Sequence, residues 1–256
     1  MLSISPVLFE IGPFTVRWYG LFMAVSVGVG FFCFLKGGRS LGYDDDFLYN
    51  LAFFVVLSGI VGARAVYVMT NWDVYAKEPG MIWRIDLGGL SFHGAVIGGI
   101  LGALPYMRRH GASFSALADY AVPGLAVGIF IVRWANLINQ EAMGRITSHG
   151  FRHPTQIYGS AIGAVLFFID LNLAQRHPPS GYRFWSFVFY YSLLRGLVEE
   201  TFRANPLYVG GWVMPQLGAG FFTLTHLLTP FFVALAWWMR RRTLTKNSQA
   251  EAMHRK

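Results

Sequence analysis

The sequence predicts an all-α, polytopic membrane protein with seven transmembrane helices, the N-terminus outside and the C-terminus cytoplasmic. Three observations predict it. Hydrophobic residues make up 54% of the 256-residue chain and charged residues 13%, about half the ~25% of a soluble domain. The apolar residues gather into runs close to the ~20 residues that a bilayer-crossing helix needs, and mean hydropathy is +0.43. The chain holds 29 Gly and 17% aromatics, residue types enriched in membrane helices for close packing and interfacial anchoring. This profile excludes a disordered chain and, despite a net charge of +8, a nucleic-acid-packaging protein, so no nucleic-acid partner is expected. The single Cys33 excludes an internal disulfide and a Cys-rich zinc or iron–sulfur site. No metal and no cofactor are expected.

In chain order, MLSISPVLFEIGPFT lacks a basic segment and a small-residue cleavage site, so it reads as no removable leader. The spans fall at approximately 16–35, 47–68, 89–107, 115–135, 156–174, 184–202 and 216–239. Asp44, Asp45 and Asp46 suit the N-terminal end of the second span, where carboxylates cap free N–H groups and complement the helix dipole. Between the second and third spans, Trp72, Tyr75 and Trp83 mark a segment lying at the membrane interface. Pro123 interrupts the fourth span and predicts a kink. The basic tail, 240–256, reads as frayed and drawn to anionic lipid. No repeat or second domain is evident, so 1–256 reads as one integral membrane domain. Placing the N-terminus outside puts Lys36, Arg39, Arg108, Arg109, Arg176, Arg183 and the tail cations on the cytoplasmic side.

Ionisable residues inside spans are costly and mark function. In this topology Tyr19, Arg64, His93, Arg133, Asn136, Asn139, Glu141, Arg195, Glu199 and Glu200 gather at the outer ends of five spans. The inner ends hold little beyond Asp119 and Asp170. A transporter needs polar groups through both leaflets, whereas an enzyme acting on lipid headgroups needs them at one. The asymmetry favours the enzyme and keeps a lipid or small-molecule transporter as the alternative. Arginines beside amides suit a phosphate, because the guanidinium fork presents paired donors to two oxygens. Arg133, Asn136 and Gln140 fall on one helical face, with Glu141 about 80° away and placed to orient a neighbour. Arg195 and Glu199 form an i, i+4 pair. His93, between small neighbours, has room beside it and can accept a proton. No HExxH or GxSxG segment occurs, so zinc hydrolysis and a serine triad find no support.

At these residues the sequence resembles the bacterial prolipoprotein diacylglyceryl transferase family. The matching pieces are RWYG at 17–20, GARAVY at 62–67, LSFHG at 90–94, RWANLINQEAMGR at 133–145, RHPTQIY at 152–158 and LLRGLVEETFR at 193–203. They follow one another in family order over nearly the whole chain. The resemblance implies an enzyme of the bacterial cytoplasmic (inner) membrane whose site faces the outer leaflet. It implies transfer of a diacylglyceryl group from phosphatidylglycerol to the lipobox cysteine thiol of a prolipoprotein signal peptide, with release of glycerol phosphate. It implies catalytic roles for His93, Arg133 and Arg195. It implies phosphatidylglycerol binding by Arg133, Asn136, Asn139, Glu141, Gly144, Tyr19, Arg64, Glu199 and Arg203. The sequence departs from the family pattern at Val132, Ala135, Ala95, Thr225 and His226, which keeps open a paralogue using another acceptor. Arg195 to Arg203 is one residue longer than usual, so Glu199 and Glu200 compete for the family glutamate.

Overall fold

The computed structural model describes residues 5–12, 14–85, 89–204 and 208–254. They form two compact units, one of residues 35–114 and one of residues 1–34 with 115–256.

The first of these units is built on two helices. Helix α2 (Asp45–Thr70) starts where Asp44 stands in extended backbone and accepts a 2.6 Å hydrogen bond from the Phe47 N–H, the expected cap. Helix α4 (Phe92–Arg109) lies against it through glycines. A Cβ at Gly62 would run into the Gly94 carbonyl, and one at Gly98 into the Ser58 carbonyl. The two backbones therefore touch, which is how membrane helices pack without a large apolar interface. Between them come the short helix α3 (Trp72–Tyr75) and a 3-10 turn, Pro79–Trp83. Trp72 and Trp83 are exposed and Tyr75 is buried.

The other unit opens with a hairpin of β1 (Val7–Ile11) and β2 (Phe14–Arg17), followed by α1 (Trp18–Ser40), which runs on past residue 34. Helices α5 (Phe114–Ile138), α6 (Thr155–Gln175) and α7 (Tyr182–Leu194) succeed it, α7 continuing as a π-helical turn, Arg195–Glu200. A second hairpin, β3 (Tyr208–Met214) with β4 (Ala219–Thr223), leads into α8 (Leu224–His254). Ala126, Ile162 and Leu166 form the buried apolar centre, covered by Phe187, Tyr190 and Tyr191 of α7. Gly163 lets α6 approach the α5 backbone at Ala126 and Phe130, where a Cβ would collide.

Helices α1, α2, α5 and α6 are long and apolar enough to cross a membrane. Three expectations need correction. The chain is mostly helical rather than all-α, because residues 7–17 and 208–223 form hairpins. The stretch 216–223, read as the start of the last span, is instead a turn and β4. Its glycines, Gly218 and Gly220, are a turn signal that a hydropathy window does not register. The tail does not fray at residue 240: α8 continues to His254, while Arg255 and Lys256 lie outside the described residues. Pro123 sits inside α5, which continues as helix on both sides of it.

Candidate active site

The site grows from three helix ends in the unit that contains α5: the C-terminus of α5, the N-terminus of α6 and the π-helical turn after α7. The α5 end is decided by backbone chemistry. Gln140 adopts a left-handed conformation (φ 56°), the Glu141 N–H donates to the Asn136 carbonyl at 2.8 Å, and the Gln140 N–H to Leu137 at 3.3 Å. This is the Schellman arrangement that closes a helix. It ends α5 before Gln140, which is exposed and off the helical face expected for it. It also turns Glu141 back over the helix, where its carboxylate accepts from the Asn136 amide at 3.1 Å and the Asn139 amide at 3.4 Å. Glu141 thus holds its two amide neighbours, but because the helix has ended, not through a position on its face.

Glu199 is the centre of charge. Its carboxylate is 1% exposed and receives Arg133 at 2.8 Å and Arg195 at 2.7 Å, both on the same oxygen, with Arg203 4.0 Å away. Arg133 also donates to the other Glu199 oxygen at 3.0 Å and reaches Asn136 at 3.5 Å. A buried carboxylate without partners costs several kcal/mol; here it is held by arginines from two chain segments. Tyr19, at the start of α1, is half-buried and within electrostatic reach of Glu141 and Arg133. Burial and the neighbouring Arg195 push the pKa of Arg203 below the usual arginine value, though far from neutrality at physiological pH.

The π-helical turn bears on the choice between Glu199 and Glu200. A π turn accommodates one extra residue within a helix, and here it covers the six residues Arg195–Glu200, inside the stretch Arg195–Arg203 that is one residue longer than the family pattern. The wider turn keeps Arg195 and Glu199 paired and leaves Arg203 on the same side. Glu200 is also fully buried, and the ion pairs of Arg133 and Arg195, with Arg203 4.0 Å away, are with Glu199.

The loop after Glu141 carries the remaining matched residues. Gly144 bridges the backbone of Arg203, and a Cβ there would collide with the His153 carbonyl. The Gln156 amide donates to the Glu141 carbonyl at 2.7 Å and the Thr155 hydroxyl to Ala142 at 2.7 Å, so the start of α6 fixes the loop. Three contributors escape a reading based on charge. Gly159 lies flat against Arg133, where a Cβ would strike Arg133 Nε and Cδ. His226 lies between Thr201, at 3.2 Å, and Thr223, at 2.9 Å, behind the π turn. The third is Gln156, whose signal was present in RHPTQIY without a charge to draw attention to it.

His93 and Arg64 belong to the other unit. His93 is exposed in the first turn of α4, which Ser91 caps by accepting from the Gly94 N–H at 3.3 Å. Arg64 is buried, with its guanidinium turned to backbone carbonyls of the segment 81–89.

Apolar helices long enough to span a bilayer mark an integral membrane protein, and a buried arginine–carboxylate–amide cluster stands where α5 ends and α7 passes into its π turn. The chain belongs to the prolipoprotein diacylglyceryl transferase family, whose model matches residues 6–239. It is 48% identical over 244 residues to the phosphatidylglycerol–prolipoprotein diacylglyceryl transferase of Thermoanaerobacter sp. (strain X514), covering 94% of this chain and 95% of that one. The protein of the same name from Caldanaerobacter subterraneus subsp. tengcongensis is 46% identical over the same shares. That from Thermus thermophilus is 34% identical over 268 residues, 91% of this chain and 96% of that one.

Proposed function

We infer that this chain is a phosphatidylglycerol–prolipoprotein diacylglyceryl transferase. In the reaction, the thiol sulfur of the lipobox cysteine bonds to the glyceryl carbon of phosphatidylglycerol that carries the phosphate. The carbon–oxygen bond to phosphate breaks, glycerol phosphate leaves, and the thiol proton passes to a base. The products are a thioether-linked diacylglyceryl prolipoprotein and free glycerol phosphate.

The observation that carries this reading is the donor surplus at Glu199. Three guanidinium groups surround one carboxylate, and each guanidinium has five N–H donors. The two carboxylate oxygens cannot absorb them, so the cluster keeps donors for a second anion. A phosphodiester fits that need, and the arginines would stabilise charge developing on the departing phosphate. Arg133 and Arg195 take the catalytic role and Arg203 a supporting one. Asn136, Asn139, Glu141, Gly144, Tyr19 and Glu199 shape the headgroup site. A cysteine thiol has an ordinary pKa near 8.5, so attack at neutral pH gains from a base, a role assigned to His93 on the family resemblance.

The remaining features follow the same reading. Seven helical spans cross the bacterial inner membrane as one integral domain, with the N-terminus outside and the C-terminus cytoplasmic, and the arginine cluster faces the outer leaflet. In support, α1, α2, α4, α5, α6, α7 with its π turn, and α8 each overlap one apolar run, and the tail cations Arg240, Arg241 and Arg242 satisfy the positive-inside rule. The test is transfer from labelled phosphatidylglycerol to a lipobox peptide by purified, lipid-supplied protein, with a Cys→Ser peptide and an Arg133→Ala enzyme alongside. Transfer that needs both the thiol and Arg133 supports the reading. Absence of transfer by folded protein overturns it.

A further inference from the structure

The GARAVY and LSFHG segments, matched separately along the sequence, interlock in the unit formed by residues 35–114. Three consecutive residues of α2 hold three points of the segment that leads into α4. The backbone of Gly62 meets Gly94, where a Cβ would collide with the carbonyl. The Ala63 carbonyl accepts from the Ser91 N–H at 3.0 Å. Arg64 reaches furthest: Nε donates to the Ile82 carbonyl at 2.8 Å, Nη1 to Gly89 at 2.9 Å, and Nη2 to Met81 at 2.6 Å and Arg84 at 3.1 Å. The Tyr75 ring lies 5.2 Å from the guanidinium carbon. Gly89 has φ +80°, and a Cβ there would press on both the Tyr67 ring and Arg64 Nη1, so the chain passes over the guanidinium where a side chain does not fit.

A guanidinium has five N–H donors. Four hydrogen bonds to backbone carbonyls commit the Arg64 fork to the protein rather than to a ligand. These carbonyls come from the end of the 3-10 turn and from the residue two before the Ser91 cap. Ser91 in turn sets the first turn of α4, which carries His93. We propose that Arg64 is a positioning residue that acts through His93: it ties the segment 81–89 to α2 and so fixes where α4 starts and where His93 stands. It thereby serves the reaction without touching the phosphatidylglycerol headgroup. The catalytic consequence rests on the transferase reading above; the positional consequence does not.

The test uses full-length protein in detergent with added lipid, and the variants Arg64→Lys, Arg64→Gln and Gly89→Ala. Two readouts come from resting protein: amide hydrogen exchange over residues 79–91, and the rate at which diethyl pyrocarbonate modifies His93. Two come from turnover: kcat and the KM for phosphatidylglycerol. Exchange over 79–91 is expected to quicken in all three variants, since local opening follows lost hydrogen bonds, and the His93 modification rate to change with it. The kcat is expected to fall about tenfold or more, with KM within about twofold because the arginine cluster is untouched. Arg64→Lys, which keeps the charge and some donors, should fall between parent and Arg64→Gln. A tenfold rise in KM with unchanged exchange would make Arg64 a headgroup ligand and overturn the proposal. So would parental exchange and parental His93 reactivity in the three variants, whatever the activity. If the resting-state changes occur but the parent transfers nothing, the positional inference stands and the transferase reading fails.

Discussion

The two ends of α5, α6 and α7 carry the same residue types and use them differently. At one end, Arg183 meets Asp170 fork to fork at 2.8 and 2.6 Å. Asp119 accepts the Gly181 and Phe184 N–H groups at 2.7 Å each, closing the start of α7. Both oxygens of Asp170 and both of Asp119 are taken there by donors of the protein. At the other end, about 21 Å along α5 from Asp119 to Arg133, one carboxylate is shared by Arg133 and Arg195, with Arg203 close by. In the first arrangement one guanidinium serves one carboxylate; in the second, two guanidinium groups pair with one carboxylate and a third lies 4.0 Å from it. Burial and ion pairing alone therefore do not identify a functional arginine. The ratio of arginines to carboxylates separates the two ends, and on the proposed reading the Glu199 end is the one that binds.

The largest expected effect lies on the open side of this comparison. Arg133→Ala should lower transfer by about a hundredfold to a thousandfold, the range for losing one preorganised donor to a developing anion. Glu199 keeps Arg195 and Arg203, so the variant should still insert and resist heat much as the parent does. An assay of labelled phosphatidylglycerol transfer beside a thermal melt checks both. Parental activity in the variant would break the distinction between the two ends.

On the closed side the pattern should invert. Asp170→Asn removes half of a buried pair, a change worth about 3 kcal/mol or more of stability, and should lower the melting temperature by several degrees. Transfer per folded molecule should match the parent. A loss of activity larger than the loss of folded protein would mean that the Asp170 end also takes part in the reaction.

A smaller, sharper effect is expected at Gly159. An alanine there would put a methyl group where the Arg133 side chain lies, displacing the guanidinium without removing it. The KM for phosphatidylglycerol should rise about tenfold, as small misplacements of a binding group do, with the melting temperature near the parent's. An unchanged KM would show that the exact path of Arg133 does not matter to binding.

How much of this could be read in the sequence differs between elements. Arg133, Asn136, Glu141, Arg195 and Glu199 were legible because charges and amides within apolar runs stand out, and the structure brings them together in one unit. The long helices were legible because their hydropathy runs match a bilayer's thickness. The hairpins were not, since 208–223 is as apolar as a helix and only its glycines and Pro215 betray strands and a turn. Gln140 was misplaced because a helical wheel assumes the helix continues, while a left-handed backbone at that residue ends it. Arg64 is matched to headgroup binding by the family resemblance alone, and its acceptors, the backbone carbonyls of Met81, Ile82, Arg84 and Gly89, have no signature in a sequence.

The smallest expected effect, that of Glu200→Gln, belongs to the finest distinction, that between two adjacent glutamates. Both are buried, and the stretch around them is one residue longer than the family pattern, so spacing alone cannot choose. The π turn chooses by geometry: it holds Glu199 within 2.7–2.8 Å of Arg195 and Arg133. Glu200 lies next to it on a turn braced from behind by Thr201 and His226. Glu199→Gln keeps the shape but removes the charge that holds two arginines, so transfer should fall about tenfold or more and the melting temperature should drop as well. Glu200→Gln should leave transfer within about threefold of the parent, with any cost appearing in the melting temperature. Measuring both variants in one assay fixes the register of the turn: the larger activity loss marks the glutamate that faces the arginines. Were Glu200→Gln the more damaging to transfer, the extra residue would have to be absorbed on the other side of Glu199, and the arginine cluster would have a different centre.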